Sequence, residues 1–171
     1  MTLARPTEHW KRLQRIGPDV IEKQEFEAIV RHEVPLVGSF DITVEEIGEG
    51  SMVLMMPYQD RFVRPGGTIM GPALFGLADV ALYGAVMSRI GRVELAVTTS
   101  MTINFLRRPR PAPVRAEARL LKLGRRLAYG EVLIFSEGDP EPVAHVTGTY
   151  SIPPQGGPMP ATGPAGGGAA A

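Results

Sequence analysis

Residues 71–87 read Gly71-Pro-Ala-Leu-Phe-Gly-Leu-Ala-Asp-Val-Ala-Leu-Tyr-Gly-Ala-Val-Met87, and Asp79 is the only charged side chain between Arg64 and Arg89. This composition predicts a helix that is apolar on every side and is therefore enclosed by other structure. A lone carboxylate in such a place is costly unless it has a partner. Asp79 is therefore either a structural group, paired with an arginine or with backbone N–H groups, or part of a functional site, and buried titratable groups favour the second interpretation.

The rest of the composition narrows the class of protein. The chain has 171 residues, no cysteine and a net charge of zero. Absence of cysteine excludes disulfides, thiolate metal sites and cysteine nucleophiles, and zero net charge argues against nucleic-acid binding. The apolar run is at the short limit for a membrane span, and its central Asp argues against membrane insertion. Because the N-terminal residues lack the apolar core of a secretory signal, we expect a cytoplasmic protein.

The pattern along the chain predicts one α+β domain in which an antiparallel sheet wraps one long central helix. Residues 1–34 are expected to form a helical lead-in, with an amphipathic helix from Pro18 to about Glu33. The domain is expected to span residues 35–152, and the uncharged Gly/Pro/Ala-rich residues 153–171 are expected to be disordered. The predicted strands are 40–45, 51–56, 95–106, 114–123, 127–135 and 143–152, with a loop over 57–67 and the long helix ending near Ser88 to Gly91.

One predicted strand has a polar face and an apolar face. Strict alternation over residues 95–106 would place one set of side chains towards one face, namely Leu95, Val97, Thr99, Met101, Ile103 and Phe105. The other face would then carry Ala96, Thr98, Ser100, Thr102 and Asn104. The methionines Met52, Met55 and Met56 are expected to fill the core.

The start of the long helix is a potential oxyanion site. After Gly66-Gly67, the first turn offers unpaired N–H groups, and Gly71 is the natural donor to the oxygen of a thioester or ester carbonyl. A nearby carboxylate would act as general base or nucleophile. The alternative is a plain helix start in which the glycines only allow close packing.

Charged residues suggest an anion site but no metal site. The segment from Arg107 to Arg126 is rich in arginine and is opposed only by Glu117. Arginines at strand ends bind phosphates by forked hydrogen bonds, although solvated turns are an equal alternative. No two of the three histidines have metal-ligand spacing, so we expect no metal site. His145 is expected to pack or hydrogen-bond within the sheet.

Four segments together resemble one known family. They are Arg64-Pro-Gly-Gly-Thr-Ile-Met-Gly-Pro-Ala-Leu-Phe-Gly-Leu-Ala-Asp79, Ala96–Pro109, Ala116–Arg126 and Val143–Tyr150. In this order they resemble the PaaI-like acyl-CoA thioesterases of the hotdog fold, within the 4-hydroxybenzoyl-CoA thioesterase-like superfamily. The resemblance implies a homodimer, or a dimer of dimers, with the acyl-CoA site at the subunit interface. It implies no cofactor apart from the CoA that belongs to the substrate.

The resemblance also implies roles for particular residues. Asp79 would be the general base or nucleophile, and the Gly71 N–H the oxyanion donor. Further substrate contacts would come from Arg64, Met70, Phe75, Tyr83, Arg107, Arg108, Arg125 and Arg126, the last four through CoA phosphates. Arg64 and Met70 replace an Asn and a His that many members carry.

Three functions are compatible with these features. The leading one is hydrolysis of a medium-chain or aromatic acyl-CoA thioester to the free acid and CoA. A non-catalytic acyl-CoA or lipid-binding hotdog protein is the main alternative, because Arg64 and Met70 alter the site. A hotdog hydratase is less favoured, because no Asp and His stand at a spacing that would share proton transfer. Gly71 and Asp79 lie about 12 Å apart along one helix, so a shared carbonyl requires two chains.

Overall fold

The computed structural model describes residues 21–154. A short 3-10 turn, Asp60–Phe62, precedes β3. In chain order the helices and strands are α1 Lys23–Glu33, α2 Pro35–Gly38, β1 Thr43–Gly48, β2 Ser51–Met56, β3 Val63–Arg64, β4 Thr68–Ile69, α3 Gly71–Ile90, β5 Val97–Phe105, β6 Val114–Leu123, β7 Leu127–Ser136 and β8 Ala144–Ser151. The lead-in over residues 1–20 and the tail over residues 155–171 lie outside the described residues, so their predictions stay open.

Six strands form one antiparallel sheet that wraps α3, which confirms the predicted hotdog architecture. The strand order is β1-β2-β6-β7-β8-β5. Along β8 the side chains alternate between buried and half-buried positions, and the buried set faces α3. The additional N-terminal helix is confirmed as α1, which adds Phe26, Ile29 and Val30 to the core.

The two ends of α3 follow from its sequence. The helix begins at Gly71 with Pro72 in its first turn, and it ends at Ile90, where Gly91 adopts a φ of 77°. Proline is tolerated in a first turn because its missing N–H has no helical partner there. A residue with positive φ closes a helix most easily when it is glycine. Both ends agree with the sequence prediction.

Two glycines allow α3 to approach the sheet closely. Gly130 and Gly148 are direct partners across β7 and β8, beneath Leu82 of α3. A Cβ at Gly130 would lie 2.5 Å from Leu82 Cδ1, and a Cβ at Gly148 would lie 2.8 Å from Leu82 Cδ2. Any larger residue would therefore displace the leucine or the helix.

The prediction that α3 is buried all round is wrong. A stripe at helical spacing is half-buried or exposed, and it consists of Pro72, Phe75, Gly76, Asp79 and Tyr83. The remaining faces are enclosed, and 83% of the most apolar window of the helix is buried inside the domain. Thus α3 is a core helix with one open face, and not a membrane span.

A bulge in β5 changes which side chains face the helix. Thr98 pairs with Tyr150 and Ser100 pairs with Thr149, so Thr99 is an extra residue on β5. An extra residue shifts the alternation of side chains by one position. The predicted assignment of faces is therefore wrong at Thr98, which lies on the helix side of the sheet instead of sharing a face with Ser100.

One edge of β5 is open. Within residues 21–154 this strand pairs only with β8, at the end of the sheet. Exposed apolar side chains accompany the edge, including Val97 at 56% and Phe105 at 55% exposure. An open edge with apolar side chains is a template for pairing with another strand.

Other predicted boundaries require small corrections. The helix expected from Pro18 begins at Lys23, and the strand expected from residue 40 begins at Thr43. Before that strand, Phe40 packs its ring against Phe62, with 4.9 Å between centroids. The predicted loop over 57–67 contains the short strand β3, which pairs with β4 around Gly66-Gly67.

His145 hydrogen-bonds within the sheet, as predicted. Its Nε2 lies 3.0 Å from Oε2 of Glu131, while Arg119 contacts the other oxygen of that carboxylate. Burial alone would raise the pKa of Glu131, but the hydrogen bonds from His145 and Arg119 outweigh it and hold that pKa below its ordinary value.

Glu131→Gln is expected to lower the free energy of unfolding by about 0.5–1 kcal/mol at neutral pH, a value reduced for partial solvent exposure. Because the folded-state pKa is lowered, the stabilisation is present above the unfolded pKa and is lost as the pH falls through the folded pKa. The difference between the two proteins in urea denaturation should therefore shrink below about pH 4. Glu117→Gln, which removes a more exposed carboxylate paired with Arg115, is the control. A difference independent of pH would contradict the assignment.

Candidate active site

Two hydroxyl groups hold one oxygen of the Asp79 carboxylate. The hydroxyl of Tyr150 lies 2.5 Å from Oδ1 and 2.9 Å from the main-chain oxygen of Asp79, and Thr98 Oγ1 donates to the same Oδ1 at 2.8 Å. Oδ2 accepts no hydrogen bond from residues 21–154. Asp79 also forms no ion pair with a cation in this range, so the structure does not support a structural pairing with arginine.

The electrostatics of Tyr150 keep it a hydrogen-bond donor. Its side chain is 3% exposed, and burial together with the Asp79 carboxylate raises the pKa of the phenol far above its ordinary value. Tyr83 stacks on Tyr150 with 6.0 Å between ring centroids and donates its own hydroxyl to the main-chain oxygen of Glu94 at 3.2 Å. Tyr150 is therefore protonated at every physiological pH and its ring is fixed.

A groove of about 220 Å³ opens at the first turn of α3. Met70 is the N-cap, and its main-chain oxygen accepts hydrogen bonds from Ala73 and Leu74. The N–H of Gly71 has no partner inside the helix, as expected for a first-turn donor. The groove is lined by Arg64, Pro65, Thr68, Ile69, Gly71, Leu74, Phe105, Arg107, Arg108 and Pro109.

The predicted arginines lie at two ends of the sheet. Arg107 and Arg108 follow β5 and line the groove, whereas Arg125 and Arg126 form the turn between β6 and β7. Since β6 has ten residues, about 30 Å separates its two ends. The main-chain oxygen of Arg126 accepts a hydrogen bond from the N–H of Ile152 at 2.8 Å, which ties the turn to the end of β8. Within one chain, Arg107 and Arg108 therefore lie far from Arg125 and Arg126.

Gly71 and Asp79 also lie at different ends of β5. A Cβ at Gly71 would lie 2.9 Å from Cζ of Phe105, at the last residue of the strand. Asp79 contacts Thr98, near its first residue. Of the predicted substrate contacts, Phe75 is 37% exposed and Tyr83 is half-buried, and both lie on the open face of α3.

Sequence reasoning missed Thr98 and Tyr150 as partners of Asp79. Both lie in predicted strands, but the bulge at Thr99 decides the side to which Thr98 points, and the alternation pattern carries no sign of it. Tyr150 could have been suspected, because a buried phenol at a strand end needs a hydrogen-bond acceptor. Among residues 21–154, no group of three His, Asp or Glu side chains is arranged to hold a metal ion.

Residues 66–143 match the family model of the Thioesterase superfamily. A crystal structure from Silicibacter sp. TM1040, assigned as a thioesterase, is 41% identical with a TM-score of 0.72, and the match covers 81% of this chain and 96% of that chain. The chain belongs to the thioesterase superfamily. It is therefore a hydrolase with the hotdog fold, as the sequence resemblance predicted.

Two further proteins are similar to this thioesterase. A variant of the phenylacetic acid degradation protein PaaI from Thermus thermophilus is 29% identical with a TM-score of 0.61, covering 69% of this chain and 98% of that chain. The 1,4-dihydroxy-2-naphthoyl-CoA hydrolase of Escherichia coli strain K12 is 29% identical over 103 residues, which are 60% of this chain and 75% of that protein. The PaaI-like resemblance is thereby confirmed.

Proposed function

We propose that this thioesterase hydrolyses an acyl-CoA thioester to the free acid and CoA, with Asp79 as general base or nucleophile and the Gly71 N–H as oxyanion donor. The observation that carries the proposal is the Asp79 carboxylate, whose Oδ1 accepts two hydroxyl hydrogen bonds while Oδ2 has none from the described residues. A carboxylate with one oxygen fixed has a defined orientation, which both kinds of catalysis need. Similarity to an acyl-CoA hydrolase supports the substrate class.

Two chemical routes are compatible with this arrangement. As general base, Asp79 removes a proton from water, the hydroxide adds to the thioester carbon, and the C–S bond breaks to release a CoA thiolate, which takes up the proton. As nucleophile, Asp79 attacks the carbon itself, CoA leaves, and water hydrolyses the resulting mixed anhydride. Both routes put negative charge on the carbonyl oxygen, which the Gly71 N–H and the positive end of α3 would stabilise.

The proposed site needs two chains. About 12 Å separates Gly71 from Asp79 along α3, which is too far for both to act on one carbonyl. If two copies pair their open β5 edges antiparallel, the Phe105 end of one strand, beside Gly71, meets the Val97 end of the other, beside the second carboxylate. We therefore propose a homodimer in which each site combines the Gly71 groove of one copy with the Asp79 carboxylate of the other. Association into a dimer of dimers stays a prediction.

Arg125 and Arg126 are proposed to bind the phosphates of CoA. They lie at the sheet end where Asp79 contacts β5, and they form no ion pair with residues 21–154. Replacing both with Gln is expected to raise KM for an acyl-CoA roughly tenfold more than KM for the N-acetylcysteamine thioester of the same acid. Added salt should act in the same direction, because exposed charges are screened. Equal effects on both substrates would contradict this role.

The function itself is tested with purified protein, a panel of acyl-CoAs and a thiol-detecting dye. Release of CoA above the buffer rate is the expected result. A folded dimer that hydrolyses no member of the panel would overturn the proposal.

A non-catalytic acyl-CoA or lipid-binding protein is the second candidate. It is favoured by Met70, which places an apolar side chain at the N-cap of α3, where it makes no capping hydrogen bond. Tight binding of CoA esters, measured by calorimetry, without thiol release would support this alternative.

A further inference from the structure

The groove at the start of α3 has an excess of positive charge. Arg64, Arg107 and Arg108 all line it, and no carboxylate does. Arg107 is paired with Glu141 outside the lining, whereas Arg64 and Arg108 form no ion pair with any residue between 21 and 154. Two guanidinium groups without a partner in a small groove favour an anionic ligand.

A buried hydrogen bond joins the two backbone segments that form the groove. Thr68, which is 7% exposed, donates its hydroxyl to the main-chain oxygen of Pro109 at 3.1 Å. This bond ties the β3–β4 hairpin, which carries Arg64, to the segment that carries Arg108. A Cβ at Gly66, in the turn of the hairpin, would lie 3.8 Å from the Arg108 guanidinium. The backbone segments that carry the two arginines are therefore tied together at the same groove, and both guanidinium groups are exposed to a ligand.

The position of Gly71 limits where the anion comes from. In the proposed reaction its N–H contacts the thioester oxygen, and Gly71 lines the same groove as the arginines. The pantetheine arm between the thioester and the phosphates of CoA is at least as long as four peptide residues, which extend over roughly 14 Å. A phosphate of an extended CoA would therefore lie roughly 14 Å or more from a thioester oxygen bound at Gly71, whereas Arg64 and Arg108 line the same groove as Gly71. A negative charge on the acyl group has no such difficulty.

Apolar side chains line the groove beside the arginines. Leu74 and Phe105 supply apolar contacts for the methylene groups of the acyl group.

We propose that the groove selects acyl groups that end in a carboxylate, so that the substrate is the CoA monothioester of a dicarboxylic acid, with Arg64 and Arg108 binding the free carboxylate. This inference rests on the proposed thioesterase function and specifies its substrate class.

The test compares glutaryl and pentanoyl thioesters, which have equal carbon number and differ in the terminal carboxylate. Each is offered both as the CoA ester and as the N-acetylcysteamine ester, which carries no phosphate. The wild-type kcat/KM is expected to favour the glutaryl ester roughly tenfold or more in both series, as a charged hydrogen-bonded pair allows. Arg64→Gln and Arg108→Gln should each reduce this ratio at least threefold, and Arg64→Lys should retain part of it.

Arg115→Gln is the matched control, because Arg115 lies on β6, pairs with Glu117 and does not line the groove. It should leave the glutaryl-to-pentanoyl ratio unchanged. A wild-type ratio near one would overturn the inference. So would variants that weaken both CoA esters equally and neither N-acetylcysteamine ester, because the groove would then bind a CoA phosphate.

A binding measurement separates this inference from the proposed function. The ligands are the thioethers S-(4-carboxybutyl)-N-acetylcysteamine and S-pentyl-N-acetylcysteamine, which cannot be hydrolysed, and affinity is measured by NMR titration. If no thioester is hydrolysed but the carboxylated thioether binds at least fivefold more tightly, the thioesterase proposal fails and the ligand class stands. Equal binding of the two thioethers overturns the ligand class whether or not the protein is active.

Discussion

Replacing Asp79 with Asn is expected to lower kcat at least 100-fold, roughly the contribution of a positioned base or nucleophile. The substitution retains the volume and the two hydroxyl contacts to the side-chain oxygen, so the thermal midpoint should change by only a few degrees. Steady-state kinetics with an acyl-CoA and a thermal melt measure the two quantities separately. An Asn variant that melts lower but retains nearly full kcat would make Asp79 a structural residue.

Tyr150→Phe is expected to have a smaller effect on kcat than Asp79→Asn. It removes one of the two donors to Oδ1 but leaves the carboxylate, so kcat should fall roughly tenfold or less. A loss as large as that of Asp79→Asn would indicate that the phenol itself takes part in the chemistry. Its raised pKa makes that role difficult, because the phenol does not give up its proton near neutral pH.

Heterodimers of two inactive chains are expected to regain activity. One chain carries Asp79→Asn, and the other carries Gly71→Pro, which removes the proposed oxyanion donor at a helix position that tolerates proline. The backbone of Met70, with φ of −70° and ψ of 144°, already suits a residue before proline. In the proposed dimer one of the two sites then receives both intact groups, so purified heterodimers should have about half the wild-type activity.

A second heterodimer distinguishes a shared site from a site within one chain. A wild-type chain combined with a chain that carries both substitutions leaves no complete site if the sites are shared, and one complete site if each site lies within a chain. Gly71→Ala controls for the contact with Phe105, since it adds a Cβ but retains the N–H. Activity in the second heterodimer and none in the first would reject the shared site.

Much of the fold was predictable because its signals are local and periodic. The apolar run from residue 71, the strand over 114–123 and the helix end at Gly91 each follow from composition and spacing within one segment. The open face of α3 was not predictable in this way. Asp79 marks one position of its stripe, but Phe75 and Tyr83 are large and mostly apolar, so the sequence does not distinguish an open face from a single carboxylate in an enclosed helix.

Two residues of the proposed site could be selected from the sequence, but the contacts around them could not. Asp79 and Gly71 were identifiable because a lone charge and a helix start are visible in sequence. The partners of Asp79 depend on the register between β5 and β8, where Thr99 is an unpaired extra residue. The register depends on how two distant segments pair, so it cannot be inferred from the sequence of one strand alone. The separation of Arg108 from Arg125 likewise required the sheet order.

Two glycines on the opposite side of α3 bear on the position of the Asp79 carboxylate. Gly130 and Gly148 let Leu82 rest against the sheet, and Leu82 lies on the same helix as Asp79, one turn further along. A Cβ at either glycine would meet a methyl group of Leu82, and a Cβ at Gly130 would also lie 2.6 Å from the main-chain oxygen of Arg119. If Leu82 does not turn aside, this turn of α3 moves and the contacts of Asp79 with Thr98 and Tyr150 lengthen. A scan of substitutions confined to residues around Asp79 would therefore leave out two glycines that bear on the position of its carboxylate.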